Sequence, residues 1–405
     1  MIASVARGEW VDGRRTAAAR AASRLVGALS RRLARGEGVQ IGGRAFVALA
    51  SPRGLERMAR RSRSVLVSGT NGKTTTTALI ARAAATVTDV VSNSSGANLL
   101  SGVFGALAER PEAELAVLEV DELALPAMMR MFEPAVVVAL NLTRDQLDRV
   151  HEVRRTARLW SDAFASFHGV VVANADDPLV VWAVRASGNI VWIAGGRSWI
   201  ADATACPECT APITIDEQGS WTCTGCTLTR PSTPDVRVAP PTGMPGRCNE
   251  ANAAMAYAVL EQLGMEQAAG AWPDVTSVGG RYEHCDVEGR DVRLLLAKNP
   301  AGWLEALDLV DDDRALVLAL NSRTEDGTDP SWIWDVPFEQ LRATSVVCTG
   351  ERAADLAVRV GYAGVATTIE RDVRAAVLLR PAGGVDVVAN YSAFQDARRR
   401  LVPSG

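Results

Sequence analysis

Lysine is almost absent: the 405 residues hold two lysines against 41 arginines. A chain biased this far keeps lysine where a compact, flexible ammonium serves and a planar guanidinium does not. Lys73 and Lys298 are therefore the first positions at which to expect chemistry. Long apolar runs are also missing. No stretch approaches about 18 apolar residues, which excludes a membrane-spanning helix of ordinary length. Cysteine is scarce, at seven residues, and its spacing gives no secreted disulfide framework. There is no excess of positive charge: the net value of −4 argues against general nucleic-acid binding. Internal repeats and long low-complexity tracts are absent as well.

What is present reads as an ordinary globular protein, 48% apolar and 22% charged, long enough for two or three domains. The arginine bias over the surface reads as a genomic preference. From Arg7 to Arg35 the chain is arginine-rich and acid-poor, as in some organelle transit peptides, and lacks the apolar core of a secretory signal. Leu25, Val26, Leu29 and Leu33 recur at helical spacing and predict an amphipathic helix. Its arginines face solvent or touch an anionic membrane surface.

Apolar runs then alternate with helical patterns. Strands are expected at Ser64–Ser68, Leu115–Val120, Ala135–Leu140 and Val170–Ala173, with a helix over Thr74–Ala85. Strands spaced by helices imply a parallel sheet with crossover connections. Residues 200–232 break this rhythm, Pro231–Pro245 reads as a linker, and Asn249–Leu263 as an alanine-rich helix. A second α/β unit follows, with strands at Val292–Ala297, Ala315–Leu320, Ser345–Cys348 and Val385–Ala389.

Between the first strand and its helix lies Gly69-Thr70-Asn71-Gly72-Lys73-Thr74-Thr75. Strand, glycine-bounded turn and helix form the context of a phosphate-binding loop. Backbone N–H groups at Gly69 and Gly72 can crowd around phosphate oxygens, and the helix N-terminus adds partial positive charge. Lys73 is expected to bridge the β- and γ-phosphates of ATP, and Thr74 to hold Mg²⁺. Val67 replaces the first glycine of the usual eight-residue pattern, so the loop is a shorter variant.

Cys206-Pro207-Glu208-Cys209 and Cys223-Thr224-Gly225-Cys226 are separated by 13 residues. Two such knuckles predict a tetrahedral Cys₄ zinc ribbon inserted over 200–232. With four thiolates the metal has no open position, so the expected role is structural. Cys248, Cys285 and Cys348 read as core thiols.

The phosphate loop resembles that of the Mur ligase superfamily, and the likeness continues in order. Asn93–Asn98, Glu119-Val120-Asp121-Glu122, Asn141–Asp148, Asn174–Pro178 and Asn249–Asn252 are similar to successive family motifs. The cysteine insert, Lys298-Asn299-Pro300-Ala301-Gly302 and Asp326–Asp335 resemble the family's ammonia-using branch. The resemblance implies a central P-loop ATPase domain over 46–283, after an N-terminal helical segment 1–45. A smaller α/β C-terminal domain follows over 284–405. Asn174, Asn252 and Arg281 are then expected at the nucleotide, with Gly69 to Thr75, and Glu119 beside Thr74 at Mg²⁺.

The same resemblance implies that ATP activates a carboxylate as an acyl phosphate and that nitrogen displaces phosphate. The substrate class implied is the D-glutamate α-carboxylate of the lipid II stem peptide. Ammonia would come from a GatD-type glutaminase subunit in a heterodimer. Asp329 matches the position that contributes to the partner's Cys-His-Asp triad; from sequence alone it also reads as a helix cap. Such an enzyme belongs in the cytoplasm, peripheral at the inner face of the bacterial membrane. Two departures from amino-acid-adding relatives matter. Gln146 stands where they carry His. No lysine exists between Lys73 and Lys298, so their carbamylated lysine has no counterpart near Arg158-Leu159-Trp160. A stand-alone ligase of the folylpolyglutamate type is the alternative that this absence disfavours. A nonenzymatic scaffold is disfavoured by the intact loop.

Overall fold

The computed structural model describes residues 15–23, 25–27, 38–93, 97–145, 153–194, 201–232, 241–275, 282–311 and 313–402. Two six-stranded sheets and a small two-stranded ribbon make up the strand content of these residues. The first sheet contains β1 (Arg63–Ser68), β2 (Val90–Ser92), β3 (Leu115–Glu119), β4 (Val136–Ala139), β5 (Val170–Asn174) and β6 (Ile190–Ile193). All its pairings are parallel, in the order β2-β3-β1-β4-β5-β6.

Alternation along β1 shows why these strands are continuous apolar runs. Val65 and Val67 enter one core with Leu79, Val259 and Trp272. Leu66, between them, enters the opposite core with Phe46, Phe104 and Trp160. A parallel sheet covered by helices on both faces needs apolar side chains at every position. The central strand β1 thus points its carboxyl end, and the loop that follows, into the crevice where open α/β sheets bind ligands.

The ribbon pairs β7 (Ile213–Ile215) with β8 (Trp221–Cys223) in antiparallel register. The second sheet contains β9 (Tyr282–Val287), β10 (Arg290–Leu296), β11 (Ala315–Ala319), β12 (Ser345–Thr349), β13 (Ala366–Ile369) and β14 (Gly383–Ala389). Its order is β13-β12-β11-β14-β10-β9, with only β9 antiparallel. The Glu288-Gly289 turn, both residues at positive φ, closes the β9–β10 hairpin. Two-residue turns of that hand match strand twist.

Six strands escaped the sequence reading: β2, β6, β7, β8, β9 and β13. β2 has three residues, and β9 and β13 are edge strands with mostly half-buried or exposed side chains. None offers a long apolar run. The N-terminal helix is present but turned over. Ala19, Ser23 and Gly27 face inward, whereas Leu25 and Val26 lie on the outside. Leu29 and Leu33 lie outside the described residues. No helix of the described residues is long and apolar enough to cross a membrane.

Candidate active site

The turn after β1 is fixed by backbone geometry. Gly69 and Gly72 have φ of 144° and 85°. A Cβ at Gly72 would lie 2.3 Å from Asn252 Oδ1, and one at Gly69 2.9 Å from Asn141 N. Only glycine allows this approach. The loop following β4 then clamps the turn. Thr70 N donates to Asn141 O at 2.9 Å, Asn71 N to Asn141 Oδ1 at 2.8 Å, and Asn141 Nδ2 to Asn71 O at 3.0 Å. Thr143 N donates to Thr70 Oγ1 at 3.0 Å.

Lys73 opens the helix Lys73–Ala84, and its side chain is buried. Its ammonium donates to Gly69 O, to Thr70 O at 3.2 Å, and to Glu122 Oε1 at 2.9 Å. Burial opposes its charge, but Glu122, Glu119 and Asp145 outweigh that and hold the ammonium above its ordinary range. Thr74 Oγ1 donates to Glu119 Oε2 at 2.8 Å. Glu119 ends β3 fully buried, its backbone locked by Asn93: Glu119 N donates to Asn93 Oδ1 and Asn93 Nδ2 to Glu119 O, both at 2.8 Å. Asn93, next to β2, is thus a positioning residue for Glu119. Trp160 Nε1 donates to Glu122 O at 2.8 Å, so the segment without a lysine places a buried indole beside the site.

A cavity of about 530 Å³ opens next to the loop, within the range of small-molecule sites. Asn71, Gly72, Asn141, Asn174 and Asn252 line one wall. Ala301, Leu304, Glu305 and Asp308, on and just after the helix Pro300–Leu307, line the other. Asn71 and Asn299 exchange side-chain hydrogen bonds at 3.2 and 3.1 Å across this division. Lys298, at the end of β10, forms an ion pair with Asp145 of the loop after β4. Burial, then Asp308, pushes the Glu305 carboxyl up to about 7. Asn174 accepts from Asp176 N at 2.9 Å, and Asn252 accepts from Thr76 Oγ1 at 3.3 Å. The residues expected at the nucleotide therefore converge, with Arg281, Gln146, Asp148 and 94–96 outside the described residues.

Asp329 does not join them. It caps the short 3₁₀ helix Pro330–Asp335 by accepting from Ser331 N at 2.8 Å, and it is exposed. Trp334, 52% exposed, meets Tyr362 edge-on at 5.5 Å, and the Arg359 guanidinium lies 5.7 Å from the Trp334 ring.

The four predicted thiols do converge. Cys206, Cys209, Cys223 and Cys226 place their sulfurs within 4.8 Å of one another. The closest contacts are 3.4 Å for Cys209 with Cys223 and 3.7 Å for Cys206 with Cys226. A tetrahedral zinc with bonds of about 2.3 Å spaces its sulfurs by about 3.8 Å, so the donor set fits. The ribbon is bolted to the loops of the cleft, which the sequence did not signal. Trp221 Nε1 donates to Ala175 O at 3.1 Å, Arg230 pairs with Asp176 at 2.6 Å, and Glu208 accepts from Trp182 and Arg185 at 2.7 Å. Arg144 pairs with Asp202 just before the first knuckle and with Asp335 of the second sheet's unit at 3.0 Å. Nothing in the spacing of Arg144, Asp202 and Asp335 could have shown that they meet.

The sequence matches the family model of the Mur ligase middle domain over residues 67–260 and that of the MurT ligase C-terminal domain over 296–394. It is 29% identical to the MurT subunit of lipid II isoglutaminyl synthase from Staphylococcus aureus strain COL, over 76% of this chain and 80% of that one. The corresponding subunit from Streptococcus pneumoniae strain R6 is 28% identical, over 76% and 79%. The fold is similar to a pseudomurein peptide ligase type C from Methanothermus fervidus, with a TM-score of 0.68 at 16% identity, covering 86% of this chain and 80% of that one. The chain belongs to the Mur ligase family, on its MurT branch.

Proposed function

We propose that this chain is the synthetase half of a glutamine-dependent amidotransferase acting on the stem peptide of lipid II. One observation carries the reading: a buried lysine, a threonine and a strand-end glutamate meet around a glycine turn at the mouth of a two-walled cleft. In this reading Gly69 to Thr75 wrap the phosphates of ATP, with Asn174 and Asn252 toward the base, as the family pattern expects of Arg281. Thr74 and Glu119 would hold Mg²⁺, which supplies charge neutralisation at the phosphates. The cysteine ribbon would hold a structural zinc.

The D-glutamate α-carboxylate attacks the γ-phosphorus and ADP leaves. The nitrogen of ammonia then attacks the acyl carbon, phosphate departs, and the ammonium formed on the carbon gives up one proton, leaving the D-isoglutamine amide. Lys73 stabilises charge as it moves onto the leaving phosphate. Lys298, tied to Asp145, stands where the two halves of the cleft meet and would orient the acyl group. Ammonia is small and neutral, so it needs a channel rather than a recognition pocket, which suits supply by a second subunit. A GatD-type glutaminase would dock by Asp329 and the exposed Trp334–Tyr362 pair, with Asp329 orienting the partner's histidine. Aromatic anchors of this kind dominate interfaces. The complex would work in the cytoplasm at the membrane face, where its lipid-linked substrate is.

The test is amidation of lipid II with ATP and Mg²⁺, using either ammonium salt alone or glutamine with the glutaminase. Product from ammonium without the partner is expected. No ATP turnover under either condition would sink the reading. Ligation of an amino acid instead would favour the stand-alone ligase.

A further inference from the structure

Charge in this chain is divided by position. Residues 1–63 contain 14 arginines and four acids, whereas 64–405 contain 29 basic and 43 acidic side chains. The basic end coincides with the inverted helix. Over 15–27 Ala19, Ser23 and Gly27 are buried, whereas Arg15, Ala17, Ala18, Ala21, Leu25 and Val26 are exposed. Leu25 is 73% exposed. A helix solvated on its outer side buries its leucine; this one exposes its leucine on the same outer surface as Arg15.

The neighbouring helix Gly38–Leu49 repeats the arrangement. Its inner side is held against the helix Leu100–Glu109, where a Cβ on Gly43 would sit 1.7 Å from Ser101 O. Its outer side shows Ile41, Arg44, Ala48 and Leu49, with Ile41 and Leu49 40% and 47% exposed. The two helices run antiparallel. Arg15 Nε donates to Leu49 O at 2.9 Å, and Gly42 packs on Ser23 O. That pairing brings Leu25 and Ile41 to the same end of one surface. Arg44 on this helix and Arg53, toward its Leu49 end, are exposed and make no ion pair among the described residues.

We propose that this two-helix face docks on the surface of an anionic lipid bilayer. Leucine and isoleucine enter the headgroup region while the arginines meet lipid phosphates. Apolar burial and attraction to anionic lipid together make stable interfacial binding, and neither alone suffices. Nucleic acid fits less well, because a phosphate-backbone binder puts its cations, not alanine and leucine, at the centre of the face. The proposal deepens the membrane-surface part of the function above and would bring the cleft to a substrate held in the bilayer.

The full chain is mixed with vesicles of phosphatidylcholine alone or with roughly 30% phosphatidylglycerol, and the bound fraction is measured by flotation. Binding to the anionic vesicles should exceed that to neutral ones by about fivefold or more and fall at high salt. The double variant Leu25→Asp/Ile41→Asp should lose most of it while retaining nucleotide affinity, which shows that it folds. Arg44→Ala/Arg53→Ala, at exposed positions, should weaken it about two- to fivefold. Equal binding to both vesicles, undiminished binding by both variants, or tighter binding to duplex DNA than to anionic vesicles would overturn the proposal. A tail-less soluble substrate separates this from the function above. Amidation of it should be unaffected by Arg44→Ala/Arg53→Ala, and its absence in the unmodified chain would count against the amidotransferase, not the membrane face.

Discussion

The phosphate loop and the four-cysteine ribbon are both short glycine-bearing turns with an unmistakable residue pattern, but they are held in opposite ways. The phosphate loop takes its hydrogen bonds from afar: Asn71 N is bound by Asn141, 70 residues on, and Thr76 by Asn252, 176 residues on. The ribbon closes on itself, with sulfur contacts spanning 14 and 20 residues. A turn built from distant parts can work only when the whole sheet is assembled. A turn closed by four local donors can order itself once metal binds. The same chain thus carries one site whose geometry is a product of the fold and one whose geometry contributes to it.

That contrast predicts opposite failures. Lys73→Arg should leave folding nearly intact and abolish amidation, a loss of about 10³-fold or more. A guanidinium is too broad for a buried slot shaped by Gly69 O, Thr70 O and Glu122. Thermal unfolding should move little, because the arginine keeps the charge beside Glu122. An ATPase rate near that of the unmodified chain would break the assignment of Lys73 to phosphate chemistry.

Cys209→Ser should do the reverse. Stoichiometric zinc, measured by elemental analysis, should be lost, and limited proteolysis should cut within 201–232. Structural zinc in isolated fingers contributes on the order of 10 kcal/mol. Here Trp221, Arg230 and Glu208 also hold the ribbon to the body, so the expected loss of stability is about 2–5 kcal/mol. Nucleotide affinity should fall by about tenfold or less, since among the described residues the ribbon meets the loops of the cleft through Ala175, Asp176 and Arg144 and not through the phosphate loop. Purified protein without zinc, or a variant as protease-resistant as the parent, would erase the contrast.

The two sites also differ in how far the sequence reveals them. Both residue patterns are readable because each chemistry dictates its own spacing: glycines and lysine around phosphate, cysteines around a tetrahedral metal. Strands β1, β3, β4, β5, β10, β11, β12 and β14 are legible for a similar reason, since burial on both faces forces unbroken apolar runs. The anchors are not legible. Asn93 positions Glu119, and Arg144 joins Asp202 to Asp335, yet each is a single polar residue whose partner is chosen by topology. The N-terminal helix shows the remaining gap. Its period is clear, but period alone does not say which side of a helix faces the core.

The smallest effect concerns the wall of the cleft that faces the phosphate loop. Glu305 faces the same cavity as Asn71 and Gly72, and its carboxyl is raised to about 7 from 4.5 by burial and Asp308. A raised acid binds its proton more tightly in the folded state. The folded chain therefore suffers no penalty from Glu305 below about pH 4.5, and the penalty grows through 7 and is full above it. Glu305→Gln should match the parent in urea stability at pH 5 and exceed it at pH 8 by about 1–2 kcal/mol, less than the full shift implies because the carboxylate keeps part of its hydration. Affinity for the magnesium nucleotide should likewise weaken between pH 6 and 8 in the parent and stay flatter in the variant. If the two proteins instead track each other across that range, Glu305 carries no proton near neutrality, and the wall opposite the phosphate loop is as solvated as an open surface.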